Sequence, residues 1–147
     1  MMRKKLGLFG EEVEDEKLIN ELLSLMHENK LDYTNTFLSL TNKDITTNKL
    51  FNNQSLINWH QKWKKRLVKN SNTIDNSINL MESTNPSIIP RNHIVEKVLE
   101  SAENEDLLPL ENLIKAMKNT YDYTLENSEY QSTPNRDSEN YRTFCGT

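Results

Sequence analysis

Three glycines, four prolines and one cysteine in 147 residues leave little material for a fold built on tight turns or disulfides. Sandwiches and small barrels need turn chemistry at short, regular intervals, so their shortage points instead to long helices joined by polar connections. The lone Cys145 cannot close an internal disulfide, and a reduced cytoplasm is therefore the simplest compartment. Long apolar runs are absent as well. None approaches the roughly 20 residues of a membrane span, and the basic opening MMRKKLGLFGEE has no apolar stretch of signal-peptide length. No glycine loop of the phosphate-cradling kind and no GxSxG elbow occurs. An excess of positive charge is also lacking: a net charge of −4 gives no general attraction to nucleic acid or anionic lipid.

What is present is an ordinary supply of apolar and charged residues for one soluble domain, arranged with helical period. In DEKLINELLSLMHEN, Leu18, Ile19, Leu22, Leu23 and Met26 form one stripe, with Asp15 as a start cap and Asn29 as an end. A second, shorter helix places Tyr33, Phe37 and Leu40 together behind Asp32. Residues 41–54 are polar and without period, which reads as a loop. The third helix, SLINWHQKWKKRLVKN, sets Leu56, Trp59, His60, Trp63 and Leu67 on one side, and crowds cations into its last turns, where the helix dipole favours them. The fourth carries Ile74, Ile78 and Met81 and stops before Pro86. Pro90 suits the first turn of a fifth helix, with Ile94, Val95, Val98, Leu99 and Ala102 facing inward. Asp106 and Pro109 open a sixth, whose stripe is Leu110, Leu113, Ile114 and Met117. The expectation is an all-α bundle of about six amphipathic helices over residues 1–119. An extended or flexible polar tail follows over 120–147, and its aromatics Tyr121, Tyr123, Tyr130, Tyr141 and Phe144 suggest docking onto a surface.

The constellations that could carry chemistry are thin. His27, His60 and His93 are scattered, with no second histidine four residues on and no cysteine cluster, so a zinc site lacks ligands. Carboxylates are plentiful, but none is singled out as a general acid or base. The run Lys62-Trp63-Lys64-Lys65-Arg66 mixes cations with an aromatic, as nucleic-acid surfaces do. Trp59 and Trp63 lie on the apolar face, however, which fits a core pair, and the cations fit a solvated helix end. Cys145, third from the end, is a candidate redox residue if its thiol is accessible. No catalytic, cofactor-binding or metal residue is assigned.

Several segments, taken in order, resemble a known family. Lys5-Leu6-Gly7-Leu8, then DEKLINELLSLM, then Asp32-Tyr33-Thr34-Asn35-Thr36-Phe37 are similar to the carboxy-terminal third of the selenoprotein O family of YdiU-type proteins. Asn85-Pro86 followed by Pro90-Arg91-Asn92-His93 and Glu96 is similar to that family's "NP…RN…E" segment. Leu113 to Asp122 resembles its final helix and "PYD" turn, with Thr120 where proline is usual. Phe144-Cys145-Gly146-Thr147 matches the family position of a cysteine or selenocysteine third from the end.

The resemblance implies a kinase-like enzyme that binds ATP and Mg and transfers AMP to protein hydroxyls. Its nucleotide- and metal-binding residues lie upstream of anything matched here. It further implies that Met1 falls mid-chain in a full-length member, that the partner of this piece is the kinase-like region, and that Cys145 pairs there as a redox element. Self-association through exposed apolar faces would follow from the loss of that partner. Membrane and nucleic acid are not expected partners. The rival reading is a stand-alone helical interaction module, marked by a genuine translation start at Met1.

Overall fold

The computed structural model describes residues 1–41, 53–70, 72–123 and 128–134, and among them the regular structure is entirely helical. The expected six helices appear as α2 (Asp15–Glu28), α3 (Tyr33–Thr41), α4 (Gln54–Val68), α5 (Ile74–Glu82), α6 (Asn92–Glu103) and α7 (Leu108–Met117). Two four-residue helices frame them, α1 (Met2–Lys5) and α8 (Ser128–Gln131).

Helix α4 starts where the Asn53 side chain accepts the Ser55 amide, and α5 where Thr73 accepts that of Asn76, so each first turn has a satisfied donor. Asp32 likewise accepts the Asn35 amide at 2.8 Å and opens α3. Two expected starts are corrected. Asp15 is not the cap of α2 but its first, buried residue, because its carboxylate is drawn to Arg66. Pro90 precedes α6 rather than sitting in its first turn; the helix begins at Asn92 after an extended Arg91.

Helices α1 to α5 enclose the larger core. Trp59, Leu6, Leu22, Phe37 and Met81 are essentially sealed from solvent within it. Trp59 and Trp63, one turn apart on α4, stack nearly parallel with centroids 6.1 Å apart. Their indole N–H groups donate to the backbone oxygens of Leu18 and Leu6 at 2.8 and 2.9 Å. Burial of each large ring therefore leaves no polar atom unsatisfied.

Helices α6 and α7 form an antiparallel hairpin that packs chiefly on itself, around Ile94, Val98 and Leu113 with Tyr130 of α8 against them. Not every residue of the expected stripes points inward. Leu23, Ile74, Leu99 and Ile114 are exposed, because each lies at the margin of its stripe, beyond the width its neighbour covers.

Candidate functional site

The polar residues with the most structure around them form three buried joints. In the first, Arg66 of α4 reaches Asp15 of α2 through Nε to Oδ1 at 2.6 Å and Nη2 to Oδ2 at 3.1 Å. Arg66 also donates to the Phe9 carbonyl and to Asn70 Oδ1, and Asn70 in turn donates to Gly7 O and Ser77 Oγ. Burial would push the Asp15 carboxyl up, but the Arg66 hydrogen bonds, the Glu12 amide and the nearby cationic charge outweigh it and hold it below its ordinary value. The expectation of a solvated cationic end to α4 is thus wrong for Arg66, which is buried.

The second joint ties α3 to the start of α6. Arg91 grips Asp32 with two 2.8 Å bonds, Nη1 to Oδ2 and Nη2 to Oδ1, and a third bond reaches Asn35 Oδ1 at 3.0 Å. This fork-on-carboxylate pairing is stronger and more directional than a single contact. It is the leading cause that lowers the Asp32 pKa, with burial opposing and the Asn35 amide assisting. Asn35 donates onward to the Gln131 carbonyl, which brings α8 into the same joint.

The third joint is built on Asn85. Its amide donates to Lys5 O and its Oδ1 accepts from Lys5 Nζ, while its own carbonyl accepts the Tyr123 hydroxyl at 2.6 Å. Burial pushes that hydroxyl up to about 12. Beside it, Ser87 donates to the Thr120 and Asp122 carbonyls. Gly7 completes the arrangement. Its φ is +67°, and a Cβ there would meet the Ser77 carbonyl at 2.8 Å, so the α1–α5 approach requires glycine.

Chemically these joints do little besides hold. Arg66 and Arg91 are each matched by a carboxylate, and the remaining hydrogen bonds end on backbone, amide or hydroxyl groups. No hydroxyl or thiol nucleophile lies beside a base in them. Among the described residues no group of three or more histidines, cysteines or carboxylates could hold a metal ion. His27 is exposed, and His93 Nε2 lies 3.4 Å from Ser132 Oγ. His60 is buried against Trp63, and burial, with Lys64 nearby, lowers its pKa to about 4. A groove of about 360 Å³ runs between α2 and α4, walled by Lys17, Lys62, Lys65, Lys69, Glu14 and Glu21. Lys62 already pairs with Glu21 at 2.6 Å there. Trp59 and Trp63 are both sealed in the core, so neither ring can stack on a base. Among the described residues no helix is long and apolar enough to cross a membrane. Cys145 lies outside the described residues.

The sequence singled out Cys145, gave Asp15 and Asp32 only helix-start roles, placed Asn85 only in a family-like segment, and gave Asn70 no role. A signal for the second joint existed, since Asp32 and Arg91 both fall in segments that carry the family resemblance. Arg91 turns inward to that joint, whereas its neighbour Asn92 is exposed.

The sequence model described as "Protein adenylyltransferase SelO" matches residues 1–118. A "Protein nucleotidyltransferase YdiU" of Pelagibacter ubique is 49% identical over 147 residues, covering 100% of this chain and 30% of that protein. A protein of the same name from Bacillus cereus is 46% identical, with 99% of this chain and 30% of the relative covered. The chain thus spans about 30% of the length of the curated relatives it matches.

Proposed function

The chain belongs to the protein adenylyltransferase SelO family, and on that premise we propose that it is the helical, non-catalytic portion of an enzyme that transfers AMP from ATP to protein hydroxyls. It corresponds to the carboxy-terminal side of the enzyme. ATP and Mg are bound by the kinase-like region, which lies on polypeptide outside this chain, and the enzyme works in the cytoplasm. The task of this portion is to present a rigid helical support to that region.

One observation carries the reading. The segments that resemble the family, around Lys5 to Leu8, Asp32 to Phe37, Asn85 to Pro86 and Arg91, converge on one another as internal joints. Residues kept for chemistry would instead aim at a cleft and leave donors or a nucleophile available there. Cys145 has a second proposed role, pairing with a cysteine of the kinase-like region. Two thiols would give up two protons and two electrons to a small-molecule disulfide, restraining the active site until reduced.

The test uses a hybrid, the Pelagibacter ubique relative with its matching segment replaced by this chain. The hybrid should transfer AMP to protein substrates. Arg91→Lys in it should lower activity only in step with the folded fraction, leaving the KM for ATP unchanged. A raised KM for ATP in fully folded Arg91→Lys protein would place Arg91 at the nucleotide and overturn the reading.

A further inference from the structure

The exposed large apolar side chains of the α1–α5 body are scattered, with Val13, Leu23, Tyr33, Val68 and Ile74 on separate elements. Those of the hairpin, Leu108 aside, are not. On α6, Val95 and Leu99 are one turn apart; Leu107, at the cap of α7, is followed at steps of three and four by Leu110 and Ile114. At 3.6 residues per turn each set occupies one flank of its helix, about a quarter-turn from the buried Val98 and Leu113. The four-residue connection makes the helices antiparallel, which turns both flanks to the same side of the hairpin. Val95 and Leu110 are half-buried at the base of this strip, while Leu99, Leu107 and Ile114 remain 51%, 53% and 48% exposed.

We infer that this strip, Leu99, Leu107 and Ile114 over Val95 and Leu110, is the seat of the kinase-like region on this helical portion. The inference rests on the proposed function, and it adds which face makes the contact. Area decides between that occupant and a second copy. Three half-exposed side chains offer far less than the roughly 800 Å² per partner of a standard stable interface. Two free molecules would not be held by it. A neighbour on the same polypeptide needs much less area, because tethering makes the association intramolecular. The relatives carry such a neighbour, as this chain matches only 30% of their length.

Hydrogen exchange on the hybrid and on this chain alone tests the assignment. Amides of α6 and α7 should exchange roughly tenfold or more slowly in the hybrid, where docking suppresses local opening. The Leu99→Glu/Ile114→Glu double variant should lose that slowing in the hybrid and change hairpin exchange by less than about twofold in the chain alone. Equal exchange in hybrid and chain alone, or slowing that survives the double substitution, would overturn the inference. So would concentration-dependent protection in the chain alone that the substitutions abolish, since the occupant would then be a second copy. AMP transfer by the same hybrid is read separately: slowed exchange without transfer upholds the seat and sinks the proposed activity.

Discussion

The α1–α5 body and the α6–α7 hairpin are built from similar amphipathic helices and differ in what finishes them. The body's core cluster holds thirteen buried apolar side chains and the Asp15–Arg66 pair locks its helices, whereas the hairpin's core cluster holds three and the Arg91, Ser87 and Gln131 hydrogen bonds join it to the body. The same helical pattern yields a closed unit when neighbours cover most of the stripe. It yields an open one when they cover half. The lesson is that stripe width, more than stripe existence, tells where a partner is missing.

The sharpest way to break the body is Arg66→Ala. It strands a carboxylate that is 1% exposed, and should cost about 3–5 kcal/mol in urea unfolding followed by tryptophan fluorescence. Gly7→Ala should cost about 2 kcal/mol or more in the same assay, through its left-handed backbone and the clash with Ser77 O. Arg91→Lys acts on the boundary between the regions. Loss of the two-pronged grip on Asp32 should cost about 1–2 kcal/mol and speed amide exchange in α6 more than in α4.

Acid should loosen the body by a smaller, graded amount. His60 is held neutral with a folded pKa of about 4 against an ordinary 6.5, so the unfolded chain takes up the proton first. Stability should therefore fall as pH drops from 6.5 towards 4, and His60→Gln should flatten that slope in pH-dependent melting. Asp15 and Asp32, held below their ordinary 3.8, add stability that is present above that value and lost as pH falls through their folded pKa values. The smallest effect is expected on the open strip. Leu99→Glu or Ile114→Glu in the chain alone should change stability by less than about 0.5 kcal/mol.

The six main helices were legible because the spacing of Leu18, Leu22 and Met26, or of Trp59, Trp63 and Leu67, reports a buried face directly. Helices of four residues such as α1 and α8 have no period to read, and they were missed. Asp15 looked like a cap because its true partner, Arg66, stands 51 residues away, and no local pattern encodes that pairing. Periodicity turns Leu99 and Ile114 inward because it marks an apolar stripe without showing what lies over it. The hydrogen-bond partners of Asn70 and Asn85 are hidden for a related reason. Asn85 and Asn70 act through hydrogen bonds to backbone atoms, which leave no trace in side-chain pattern.

The central question is whether these helices carry transfer chemistry of their own. Purified chain incubated with Mg and ATP labelled at the α-phosphate, beside the hybrid and a mixture of protein substrates, measures it. No label on protein with the chain alone, and clear labelling with the hybrid, is the result predicted. Labelling by the chain alone would contradict it.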